Sequence, residues 1–144
     1  MEDLKKTLEK ILEDCRKEIE EYGDLIPKVF CKREGEIFAI EVPGDNNIRR
    51  PIKVIIEALR KMKVEWIAVI VTGHGVEQKK IPENYKGKIR DLPWSKEFLV
   101  GYIVSRDGRR YGAMQEIIRY EDGLEFEELM ELDDFSGFLV PEPW

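Results

Sequence analysis

The chain has 144 residues, 42% hydrophobic and 38% charged, with a net charge of −6. That length suits one domain with a core of its own, and two cysteines are not a disulfide framework. The acidic balance argues against duplex DNA as an obligatory partner, because phosphate neutralisation dominates such binding.

The charge excess lies mostly in Lys and Glu, the direction seen in heat-adapted proteins. "MEDLKKTLEK" at the start is charged from its second residue and has no apolar h-region, so no signal peptide is expected. The longest apolar run, "WIAVIV" (66–71), is far short of the roughly 20 residues that span a bilayer. The expected address is the cytoplasm, with no membrane partner.

The first element is a helix over 2–22. Leu4, Leu8, Ile11, Leu12, Cys15, Ile19 and Tyr22 recur at steps of three and four, the signature of one buried face. Gly23 follows as its C′ residue. Residues 27–43, "PKVFCKREGEIFAIEVP", then form two β-rich runs around "REGE". "GDNN" (44–47) offers turn and N-cap chemistry, Pro51 suits a first helical turn, and Ile52, Ile55, Ile56, Leu59 and Met62 make the stripe of a second helix. "WIAVIVT" (66–72) is apolar on both faces, as a central strand should be.

Residues 73–97 read as a long polar loop, a length that points to function or mobility. "FLVGYIVS" (98–105) and "RYGAMQEIIRY" (110–120) flank "RDGR", whose Asp-Gly is a hairpin signal. "EDG" (121–123) turns the chain into "LEFEEL", a further strand. An apolar tail, 135–144, closes the chain. The order α-β-β-α-β-β-β-β predicts one α+β domain over 1–144. Its expected sheet is mixed, mainly antiparallel, with five to six strands and both helices on one face.

Pro27 and Lys28, then "IEVP" (40–43), stand between a helix and a helix that leads into an apolar strand. Over residues 1–72 this outline resembles the restriction-endonuclease-like PD-(D/E)xK family. There an Asp and a Glu hold Mg²⁺ and a Lys assists the attacking water. The resemblance implies a nucleic-acid-processing or nucleic-acid-binding protein with degenerate nuclease-like architecture. Glu41 matches the family's Glu; Lys28 stands in place of the Asp, and Pro43 in place of the Lys. An ammonium in the Asp position repels the cation such a site must hold.

Read as a plain hairpin, the same residues pair as Arg33/Glu36, Cys31/Phe38, Val29/Ile40 and Lys28/Glu41, with Glu34 and Gly35 as the loop. Val29, Cys31, Phe38, Ile40 and Val42 then share an apolar face, and Lys28 meets Glu41 on the other.

The single histidine, His74, lies between glycines just past the central strand, with Glu77 as its nearest local carboxylate. With Arg106, Arg109 and Arg110 these residues form a candidate small-ligand site. "GHGVEQ" lacks the third glycine of a dinucleotide loop. One histidine and two cysteines on apolar faces do not make a zinc set. No metal and no cofactor are expected.

Charge is segregated. Residues 79–90 hold five basic side chains against one acid, and residues 121–134 hold eight acids and no base. Lys79, Lys80, Tyr85, Lys86, Lys88 and Arg90 are candidate interaction residues, with Tyr85 and Trp94 able to stack on bases of a single strand. Phe138 and Trp144, in the apolar tail, are candidates for docking onto a protein partner or a second copy. With no local catalytic constellation, the expectation is a non-catalytic protein that acts through protein–protein interaction or self-association. The small-ligand binder and the nucleic-acid protein are the alternatives.

Overall fold

The computed structural model describes residues 3–42, 48–76 and 78–132. Its elements are α1 (Leu4–Tyr22), β1 (Lys28–Arg33), β2 (Glu36–Glu41), α2 (Arg49–Lys61), β3 (Trp66–Gly75), β4 (Lys96–Ser105), β5 (Arg110–Tyr120), β6 (Gly123–Phe126) and β7 (Met130–Glu131). The class is α+β, and the chain order of helices and strands is the expected one, with a two-residue β7 added. No helix among the described residues is long and apolar enough to cross a membrane.

Local chemistry sets the element ends. The Asp3 side chain accepts from the Lys6 amide at 3.2 Å and caps α1. Gly23, at φ 84°, ends the helix and donates its N–H to the Ile19 carbonyl at 2.8 Å. Between β1 and β2, Glu34 and Gly35 both take positive φ, 53° and 81°, as a two-residue hairpin turn requires. The resulting pairs are Arg33/Glu36, Cys31/Phe38, Val29/Ile40 and Lys28/Glu41, the expected register. "GDNN" lies outside the described residues; the N-cap of α2 is Ile48, with no side-chain cap.

The strand order is β2-β1-β3-β4-β5-β6, with β7 also on β5, and every pairing is antiparallel. The expectation of a mixed sheet therefore fails. β1 inserts between β2 and β3 and pairs with both, so the two strands that run in the same direction never touch.

The helices do not share a face. Trp66, Ala68 and Ile70 of β3 join the core under α1, with Leu8, Leu12, Ile19, Leu99, Ile103 and Ile117. Ile67 and Val69, pointing the other way, join the core under α2, with Val29, Cys31, Ile52, Ile56 and Leu59. A strand apolar on both sides needs cover on both sides, and two helices supply it. Each fully buried Leu or Ile is worth about 1.5–3 kcal/mol.

Gly101 of β4 explains how closely α1 approaches. A Cβ there would lie 2.9 Å from both Ile70 Cδ1 and Leu12 Cδ2, and no side chain intervenes. α1 covers β3, β4 and β5, whereas α2 covers β1 and its neighbours, which leaves β2 as the sheet's thinly covered edge.

Candidate functional site

Lys28 is 7% exposed, on the α1 side of β1. Its ammonium lies 2.9 Å from a Glu18 carboxylate oxygen and 3.4 Å from Glu41. The other Glu18 oxygen accepts from the Ile26 amide at 3.1 Å. The place where the nuclease-like outline would seat a cation thus holds an ammonium that links α1, β1 and β2. The Lys28/Glu41 pair follows from hairpin register; Glu18, from another element, had no local signal. Pro43 lies outside the described residues.

His74 and the arginines are not brought together. His74 is the cross-strand partner of Glu97, while Trp66 at the other end of β3 faces Ser105, next to the turn that carries Arg106 and Arg109. Eight strand residues at about 3.4 Å each separate the two ends by about 27 Å. Glu97, the carboxylate beside His74, is held bidentately by Arg119 at 2.7 and 3.0 Å. Glu77 lies outside the described residues. At the far turn, Asp107 binds Arg109 Nε at 2.8 Å and accepts from the Ser105 hydroxyl, and these contacts hold its carboxyl below the ordinary aspartate range. The Arg110 backbone begins β5, opposite Val104.

β3 continues through Gly75 and β4 begins at Lys96, so the polar connection is 76–95, with 3₁₀ turns at Gln78–Lys80 and Ile89–Asp91. Lys79, Lys80, Lys86, Lys88 and Arg90 are all exposed on it. Tyr85 is not presented for stacking. Its hydroxyl donates to the Lys88 carbonyl at 2.8 Å, and its ring lies where a Cβ on Gly87 would sit. Trp94, in contrast, is 53% exposed beside the first residues of β4.

β2 is where expectation and structure part most usefully. Phe38 was expected on the buried face with Val29 and Cys31, yet it is 47% exposed, and Ile37 on the opposite face is 54% exposed. α2 reaches only as far as Ile40 and Val42. The signal was present in "EIFAIE": an apolar residue on both faces breaks the alternation of a strand with one wet side. Phe38 therefore lies on an open edge. Phe138, Trp144 and the rest of the apolar tail lie outside the described residues.

Cys15 and Cys31 are both buried and free, as small apolar residues are. Burial pushes the Cys15 thiol up to about 12 and raises that of Cys31. They belong to cores on opposite sides of the sheet, so no disulfide joins them.

The fold and its exposed features define an α+β protein with a central antiparallel sheet, a helix on each face and, at the β2 edge, exposed apolar side chains. No known family, curated protein or solved structure matches the chain.

Proposed function

We propose that this protein acts by association rather than catalysis, and that β2 is the surface it uses, pairing with β2 of a second copy. The observation that carries this is a six-residue edge strand, paired on its β1 side alone among the described residues, with Ile37 and Phe38 about half exposed. An exposed apolar edge is a template for another strand.

Backbone phase supports a second copy as the occupant. A two-residue hairpin closes on a hydrogen-bonded pair, here Arg33/Glu36, and such pairs alternate along the ladder. Glu36, Phe38 and Ile40 therefore turn their backbone groups towards β1. Ile37, Ala39 and Glu41 turn theirs outwards. The Val42 amide donating to Pro27 at 2.8 Å fits the same phase. An antiparallel two-fold centred on Phe38 sets Ile37 against Ala39 of the second copy, both with outward backbone groups. Phe38 then faces its own counterpart across a close pair, and Glu41 faces Gly35. Pairing Glu36 with Glu41 would be out of phase and would oppose like charges.

An interface this small falls below the roughly 1,200 Å² of standard complexes, so the association is expected to be weak and concentration-dependent. Sedimentation velocity across a hundredfold concentration range tests it. The wild type shifts from monomer towards dimer, and Phe38→Lys and Ala39→Pro each hold it as monomer. Ala39→Pro removes an outward N–H and leaves the β1 ladder intact. A chain truncated before Asp133 separates this edge from the apolar tail. Dimer formation that survives both β2 variants and disappears on truncation would refute the reading.

A further inference from the structure

The open end of the β3–β4 pair carries a second, chemically distinct surface. Gly75, Val76, Lys80, Trp94, Lys96 and Phe98 line a cleft of about 390 Å³, within the size range of small-molecule sites. Both ends of one connection build it: Lys80 follows β3, and Trp94 precedes β4. The far half of the connection is fastened. Leu92 is buried, its amide bonds the Ile89 carbonyl at 3.0 Å, and the Ser95 hydroxyl donates to the Arg90 carbonyl at 3.0 Å. Trp94 is thus an exposed indole on an anchored turn.

The floor is apolar and depends on a missing side chain. A Cβ on Gly75 would lie 3.3 Å from the Phe98 ring, which rests along the bare backbone. Two ammonium groups and no carboxylate stand among the described lining residues. Beside the cleft, Glu116 lies 3.6 Å from the Lys96 ammonium, a long contact on a lysine side chain that is itself 62% exposed, so a phosphate can compete for it.

Two other clefts lack this combination. The one along α1, about 510 Å³, sets Lys6, Lys10 and Arg16 against Glu9 and Glu13 and has no aromatic wall. The one at the β4–β5 turn places Asp107 beside Arg109.

We infer that the Gly75–Trp94–Lys96 cleft binds a nucleotide unit, with the base stacked on the Trp94 indole and the phosphate held by Lys80 and Lys96. An aromatic face beside cations is the general means of holding a base and its phosphate without reading sequence, and ammonium–phosphate bonds are among the stronger hydrogen bonds. The exposed Lys86, Lys88 and Arg90 on the same connection extend the positive surface beyond one phosphate. The unit is either part of a single strand or a free nucleotide, and the chemistry at the cleft is the same for both.

Fluorescence anisotropy with a labelled ten-nucleotide oligothymidylate, competed by thymidine monophosphate and by duplex DNA, distinguishes the sources. Binding displaced by the mononucleotide at similar concentration assigns a free nucleotide; binding displaced only by single strands assigns a strand. In either case Trp94→Ala weakens binding roughly five- to a hundredfold. Lys80→Gln with Lys96→Gln weakens it further, and for a strand lowers the salt slope by roughly 0.7 per lost phosphate contact. All three side chains are solvent-facing, so circular dichroism should show the variants folded. Failure of both ligands to bind at low salt overturns the inference. So does equal affinity of Trp94→Ala, or duplex competing as well as single strand.

Discussion

β3 and β2 are written in much the same alphabet and meet opposite fates. "WIAVI" of β3 is entirely buried, five residues facing two helices alternately, while "IFAI" of β2 keeps only Ile40 partly covered. Composition does not separate them. Place in the strand order does: β3 has neighbours on both sides and a helix over each face, and β2 has one neighbour and the margin of α2. The same apolar run contributes stability in one place and a sticky edge in the other.

The comparison breaks most plainly through paired truncations. Ile70→Ala removes a fully buried side chain wedged between α1 and Gly101, and should cost about 2–5 kcal/mol in urea unfolding. Phe38→Ala should cost no more than about 1 kcal/mol, since nearly half of the side chain is already wet. Equal losses at the two positions would mean that β2 is covered after all, and the proposed association surface would vanish with the contrast.

β1, lying between the two, sharpens it. Lys28→Ala leaves Glu18, itself mostly covered, without its ammonium, and should destabilise by about 2–3 kcal/mol, at the low end for buried pairs because Glu41 is well solvated. Lys28→Met keeps the packing and should cost less. If Lys28→Ala unfolds no more readily than the wild type, the ammonium does not tie α1 to the hairpin.

How much was legible beforehand follows the range of the interaction. Gly23 as a helix stop, the Glu34–Gly35 turn with its full register, and β5 at 110–120 are all settled by neighbours within a few residues. What failed depends on strand order. The two-sided apolarity of β3 already demanded helices on both faces, and placing both on one face ignored it. The exposure of Phe38 and the Glu18–Lys28 contact arise because β1 sits between β2 and β3, and the separation of His74 from the arginines because β3 and β4 pair antiparallel along their whole length; no window of sequence encodes either. The sequence offers Trp94 as an aromatic able to stack on a base, but Gly75 and Phe98 become its floor only once β3 and β4 pair.

The two core faces yield a smaller effect. With Cys15 and Cys31 buried under different helices and both thiols raised, the native protein should react with a disulfide reagent near pH 8 far more slowly than the denatured chain, in which both thiols return to about 8.5. Rapid labelling of native Cys15 would show that α1 opens readily, and the α1 core would then be less secure than its burial suggests.

The smallest expected effect lies at the β4–β5 turn, away from both strands compared above. Asp107 is exposed over about half of its side chain, and its carboxyl is held low first by the Ser105 hydroxyl, then by the Arg109 amide. A depressed folded value means that the carboxylate form supports the turn at all pH above the unfolded aspartate value of about 3.9. That support is lost as pH falls through the lower folded value. An NMR titration of the Asp107 carboxyl should therefore show a midpoint below the unfolded value, with the Arg109 amide shifting in step at the donor–acceptor distance of 3.2 Å. Ser105→Ala removes the leading contact and should move the midpoint back up, with little change in global unfolding because the carboxyl is solvent-accessible and its contacts are screened. A midpoint that Ser105→Ala does not move would assign the turn's order to the Asp-Gly backbone alone, where Gly108 takes φ 93°.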